Sequence, residues 1–330
     1  MMPSMPEIPP LALAFAVLMG VSMLAYVVLD GYDLGVGMLM PAAGEREQNL
    51  MVNSIGPFWD ANETWLVLGV GILLVAFPAS HGVILQALYL PVAAMLAGLM
   101  LRGVAFEFRM KAEGWHRELW NWLFWFGSFL ASFAQGVMLG RYLTGFAPGF
   151  GYWLFAAMVG AALCGGYVLL GATWLVARTE GELQKKSLAW ARWGLMWVAF
   201  GVVLVSLATP LVSESVRVKW FSFPQTLWLM LLPAATFAAG IQLWRSTKKL
   251  SHEWAPFFCA VAIFVLAFAG LAYSIFPWVV IDRIGLWEAA HPSALRVMLW
   301  GALIVLPFIV AYNVLAYWIF RGKARENLYD

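Results

Sequence analysis

Charge is scarce in this chain of 330 residues. Lys, Arg, Asp and Glu make up 12% of it, about half of what a soluble domain carries, while 63% is hydrophobic and the mean hydropathy is +0.79. That balance excludes an ordinary soluble protein and points to a membrane chain. The formal net charge is only +2, so charge gives no ground for a nucleic-acid partner and none is expected. Apolar and polar residues do not alternate along the apolar runs. That excludes barrel strands and leaves helices, because only these two architectures satisfy the backbone within hydrocarbon. Cysteine is limited to Cys164 and Cys259, which lie inside apolar runs and read as small buried hydrophobes. Histidine is missing from the middle of every run: His81, His116, His252 and His291 all fall at or beyond run ends. A haem in a helical bundle needs an axial ligand aimed inward from mid-helix; no histidine qualifies, and the 16 Met residues read as packing. Metal-ligand spacings, a Walker loop and a dinucleotide fingerprint are also lacking. Cofactor and metal sites within this chain are therefore expected to be none, and it has no means of its own for redox or phosphoryl chemistry. The matching Gly/Pro-broken spans of an inverted-repeat transporter are not found either. Residues 1–10 hold no Lys or Arg, so no cleavable signal is expected, and the run from Leu11 opens a full-length helix.

What is present is an all-α polytopic membrane bundle, expected as a single integral-membrane subunit over residues 1–330 with nine transmembrane helices. The runs are 11–29, 60–78, 82–101, 120–140, 152–176, 190–210, 225–244, 257–281 and 296–320. Most have about 20 residues, the length that crosses a ~30 Å core at 1.5 Å per residue. With the N-terminus outside, fifteen of the 20 Lys and Arg residues fall in inside segments; only Arg141, Arg217, Lys219, Arg283 and Arg296 fall outside. The positive-inside rule then sets the N-terminus out and the C-terminus in the cytoplasm, for a multi-pass membrane protein. Tryptophans gather at span ends, as an aromatic belt does (Trp115, Trp120, Trp122, Trp125, Trp190, Trp193, Trp197).

The stretch from Asn53 to Trp65, Asn-Ser-Ile-Gly-Pro-Phe-Trp-Asp-Ala-Asn-Glu-Thr-Trp, leads into the uncharged run 66–77. It loads two carboxylates and two tryptophans onto the start of a span, and ionisable groups at such depth are costly and usually functional. Asp60 and Glu63 are three residues apart, as are Asp30 and Asp33, which end the first span on the same side. One reading has these acids capping helix starts or pairing with Arg102, Arg109 or Arg117. The other has them moving protons, with Asp60, flanked by Phe58 and Trp59, as the leading candidate. Glu107 and Arg109 read as an interfacial ion pair, with a proton relay as the alternative. Residues alone leave three classes open: a proton-handling subunit, a proton- or cation-coupled secondary transporter, and a structural scaffold.

The motif Asp30-Gly-Tyr-Asp33-Leu-Gly-Val-Gly-Met38, followed by Asn53 to Leu66, resembles subunit II of the cytochrome bd-type quinol oxidases. The resemblance extends to Arg102-Gly-Val-Ala-Phe-Glu107-Phe-Arg109 and to the nine-span layout, so it covers the chain. It implies a heterodimer with a haem-bearing subunit I carrying haems b558, b595 and d, or a b-type variant as in the cyanide-insensitive branch that the short chain is similar to. It also implies quinol as substrate, oxygen reduced to water, a structural quinone in some members, and a small single-span third subunit as a further partner. By position it implies a proton pathway through Asp60, with Glu63, Asp33 and Asp30 beside it; the family carries either an amide or an acid where Glu63 stands. It implies that Trp65, with Trp59 nearby, lines an oxygen route, for which Gly69, Val70 and Gly71 offer a seam of small residues.

Overall fold

A computed structural model describes residues 7–212 and 214–324. Residues 1–6 and Arg325, counted above in the basic tail, lie outside them. The helices are α1 (Pro10–Leu39), α2 (Glu45–Ile55), α3 (Trp59–Ala76), α4 (Pro78–Ala87), α5 (Tyr89–Lys111), α6 (Gly114–Leu143) and α7 (Phe150–Arg178). They continue as α8 (Gly181–Val212), α9 (Glu214–Phe221), α10 (Gln225–Leu229), α11 (Leu231–Lys248) and α12 (Ala255–Ile275). A two-stranded hairpin, β1 (Trp278–Val280) and β2 (Ile284–Gly285), then leads through α13 (Leu286–Ala289) to α14 (Pro292–Ile319). Nine helices among the described residues are long and apolar enough to cross a membrane. Their outward faces carry exposed Val, Leu, Phe and Trp side chains, the reverse of a soluble protein and the pattern that hydrocarbon favours.

Several boundaries differ from the sequence expectation: α6 and α8 begin earlier than expected, at Gly114 and Gly181, and three further differences bear on the site. The first helix does not stop near residue 29 but runs on to Leu39, so Asp30 and Asp33 lie inside it rather than at its end. Gly31 and Gly35 within it are contact points with α7. A Cβ on Gly35 would stand 1.8 Å from the Tyr167 carbonyl oxygen, and one on Gly171 2.4 Å from the Val36 nitrogen, so small residues let the two backbones touch. The third expected span, 82–101, straddles a break at Leu88; the membrane-length piece is α5, which reaches Lys111. The eighth expected span, 257–281, ends at Ile275, and its last residues fold into the hairpin instead, where Val279, Val280 and Ile281 are buried.

The main core lies at the end of the bundle that bears α2. There Tyr32, Leu34, Met51, Ile55, Phe58, Tyr167 and Trp174 are buried together. Tyr32 stacks on Trp174 with ring centroids 4.1 Å apart, and Phe58 stacks on Tyr317 at 4.6 Å. The same end gathers the basic connections, tied by Lys186 to Glu47 (2.8 Å) and Lys323 to Glu253 (2.5 Å). The Lys186 ammonium holds the Glu47 carboxyl below the usual carboxylate range.

Candidate functional site

The site is built around Arg102. Gly98 and Gly127 let α5 and α6 approach until a Cβ on Gly127 would lie 2.8 Å from the Arg102 nitrogen. That contact fixes Arg102 in the bundle interior, where it is 1% exposed. Its Nη1 donates to Asp30 Oδ1 at 2.7 Å and lies 3.7 Å from Glu63 Oε1. Asp33, one turn beyond Asp30, accepts a hydrogen bond from Asn62 Nδ2 at 2.7 Å. The same amide nitrogen lies 2.9 Å from the Tyr32 hydroxyl. Tyr317, from the far end of α14, donates to Asn62 Oδ1 at 2.9 Å and shares a 2.6 Å hydrogen bond with Tyr32. Deeper along α1, Gln135 Nε2 donates to the Tyr26 hydroxyl (2.8 Å) and Gln135 Oε1 accepts from Tyr167 (2.6 Å). Asp30 Oδ2, Asp33 Oδ1 and Arg102 Nη2 are buried and have no hydrogen-bond partner among the described residues. Three carboxyl groups thus face one guanidinium at a depth where unpaired charge is expensive.

The acids named from sequence are spread across a gradient of burial. Asp30 and Asp33 are fully buried, the Glu63 side chain is 31% exposed, and Asp60 is exposed. Asp60 is not shielded by its aromatic neighbours as the sequence suggested. Phe58 turns inward onto Tyr317, and Trp59 packs on Phe106 with the Arg102 guanidinium 5.9 Å from its ring centroid. Helical phase explains this: Asp60 shares a stripe with the exposed Val67 and Leu74, whereas Asn62, Gly69, Ile72 and Ala76 face inward.

The pairing expected between Glu107 and Arg109 is not formed. Glu107 points outward, and Arg109, 1% exposed, turns inward. There its Nε donates to Asn121 Oδ1 (2.5 Å) and its Nη2 to Asn49 Oδ1 (2.7 Å). Trp65 reaches the other side of α3, where Nε1 donates to Asn313 Oδ1 on α14 at 3.2 Å. An apolar groove of about 400 Å³ runs between α3 and α14 from this point, lined by Val67, Leu68, Gly71, Ile72, Val305 and Ile309 among others. Of the expected seam only Gly71 borders it: Gly69 packs on Met23 and Val70 faces outward. Asn62, Tyr317, Tyr32 and Gln135 were given no role by the sequence reading. Polar groups embedded in apolar runs, such as Gln135 and Asn313, were the available signal.

Fold and site together define a polytopic helical membrane subunit whose buried charges converge on one arginine. The cytochrome bd terminal oxidase subunit II profile matches residues 11–320, and the chain belongs to that family. It is 29% identical to cytochrome bd-I ubiquinol oxidase subunit 2 of Escherichia coli (strain K12), over 94% of each chain. It is 30% identical to cytochrome bd ubiquinol oxidase subunit 2 of Bacillus subtilis (strain 168), over 94% of this chain and 96% of that one. Its fold is similar to a chain in the structure of bd oxidase from Geobacillus thermodenitrificans, with a TM-score of 0.76 at 15% identity, covering 96% of this chain and 100% of that one. Family membership displaces the transporter alternative.

Proposed function

We propose that the chain acts as subunit II of a quinol:oxygen oxidase, giving a haem-bearing subunit I a proton path and an apolar route for oxygen. The relatives named as ubiquinol oxidase subunits support quinol as the donor. Haems b558, b595 and d, or a b-type variant, belong in this reading to subunit I, where they supply electron transfer to oxygen. The chemistry of this chain's donors fits that division, because all four histidines stand at element ends and none projects from mid-helix into the core. The basic end of the bundle faces the cytoplasm by the positive-inside rule, so Asp60 collects protons there.

The observation that carries the reading is the gradient of acids around Arg102. Asp60 is exposed, Glu63 lies one turn further along α3 and is partly buried, and Asp30 and Asp33 are wholly buried. Protons are the positive charges that a cluster with three carboxyl groups and one guanidinium lacks. Passing them from the cytoplasm while quinol is oxidised outside charges the membrane, each unit charge being worth about 2.3 kcal/mol per ~100 mV. The groove beside Trp65 supports oxygen access, since oxygen needs no polar filter; Trp59, engaged on Arg102, serves in this reading to keep water from the ion pair.

The test uses the whole complex in liposomes. Asp60→Asn and Glu63→Gln should each slow quinol-driven oxygen consumption about tenfold or more, with the partner's haem spectrum unchanged. Full turnover with normal charge separation in both variants would remove these acids from the path.

A further inference from the structure

The basic end holds a second cluster, which the proton path does not use. Arg109 is 1% exposed, yet among the described residues no carboxylate pairs with it; its partners are the amide oxygens of Asn49 and Asn121. Arg117 Nη2 donates to the same Asn49 oxygen at 2.7 Å. Glu45 lies 3.5 Å from Arg117 Nη1 and is itself 72% exposed. Two guanidiniums thus converge on a single neutral oxygen, with their charge incompletely compensated.

Beside them opens a cavity of about 440 Å³, lined by Met40, Glu45, Gln48, Arg117, Glu118 and Trp122 among others. Its amides form a frame and are already committed. Gln48 Nε2 holds the carbonyls of Met40 and Ala43, and Gln48 Oε1 accepts from Asn121 Nδ2. What remains unspent is charged and of both signs. Arg117 Nε is buried without a partner, and no side chain caps the first turn of α6, which borders the cavity. Glu45, which stands 3.5 Å from Arg117 Nη1, and Glu118 also line the cavity, both exposed. Trp115 and Trp122 are exposed nearby on α6, which sets the site at interfacial depth.

We propose that this cavity binds the headgroup of one zwitterionic aminophospholipid. The phosphodiester sits against Arg117 and the start of α6, where a guanidinium and free backbone N–H groups both favour an anion. The ammonium sits between Glu45 and Glu118. A simple anion leaves the two acids opposed to it, and a simple cation leaves the two arginines so; a headgroup carrying both charges satisfies the two halves at once. The acyl chains follow the exposed apolar surface of α6 into the bilayer.

The experiment is native mass spectrometry of the intact complex, taken from nanodiscs of phosphatidylethanolamine or of phosphatidylcholine. The wild-type complex should keep one phosphatidylethanolamine and discriminate against the choline lipid, whose methylated ammonium has no N–H to donate. Arg117→Gln should lower the retained fraction roughly tenfold, the scale of one charge-assisted hydrogen bond; Arg117→Lys should keep part of it. Glu118→Gln should abolish the preference for ethanolamine over choline without releasing the lipid. The partner's haem absorbance, unchanged in each variant, reports that the complex is assembled. Equal retention of both lipids, or full retention in Arg117→Gln, would overturn the proposal. So would binding of inorganic phosphate or O-phosphoethanolamine at this site with no lipid retained, which would make it a site for soluble anions.

Discussion

Arg102 and Arg109 stand two turns apart on α5 and are equally buried, at 1% exposure each, but their charges are met in opposite ways. Arg102 is answered by carboxylates, Asp30 at 2.7 Å and Glu63 at 3.7 Å. Arg109 is answered by two amide oxygens at the bundle's basic end. The difference follows depth. An ion far from water needs a counter-ion, because a neutral dipole recovers only part of the lost hydration. A single helix therefore holds one arginine as part of an internal salt bridge and another on amide dipoles shared with the partly exposed Arg117.

The sharpest way to break the comparison is to remove a partner from each. Asp30→Asn, which takes from Arg102 its 2.7 Å carboxylate partner, should destabilise the complex by roughly 3–5 kcal/mol, the cost of stranding one member of a buried pair. Asn121→Ala, which takes one amide from Arg109, should cost only about 1–3 kcal/mol. Thermal loss of the partner's haem absorbance measures both, and equal losses would show that depth does not separate the two arginines. A smaller effect belongs to the aromatic side of the network. Tyr317→Phe removes the donor to Asn62 Oδ1 and should cost about 0.6 kcal/mol, within the range measured for hydrogen bonds between membrane helices, while altering the pH profile of turnover through the looser Asn62. A stability change with an unmoved pH profile would reduce Tyr317 to packing.

The smallest effect lies at the tail. The Lys323 ammonium, followed by Gln184, holds the Glu253 carboxyl below its ordinary range. A depressed carboxyl contributes stability that is complete above the unfolded pKa, about 4.3, and is lost as pH falls through the lower folded value. Amide exchange at residues 320–324 should therefore quicken on acidification below about pH 4.3, and Glu253→Gln should remove that acid dependence.

Much of the fold was legible because hydrocarbon leaves the backbone few choices: long uncharged runs become helices, and all nine are found. The site was legible only in its composition. Asp30 and Asp33 were expected to end the first span, yet Gly31 and Gly35 lie against α7 within a helix that continues to Leu39 and carries both acids inward. The exposure of Asp60 was not legible, because sequence adjacency to Phe58 and Trp59 suggested shielding, while helical phase points it outward. Asn62 stood in the quoted motif without a role, since its partners Asp33 and Tyr317 are 29 and 255 residues away. Separations of that size are set by tertiary packing.

Helix α14 is barely embedded, its most apolar window being only 6% buried, yet Asn313 holds Trp65 and Tyr317 holds Asn62. Beyond it Lys323 ties down on the carbonyls of Ala177 and Thr179. Through Tyr317 and Asn62, this peripheral helix is therefore only two side chains away from Asp33, a wholly buried acid.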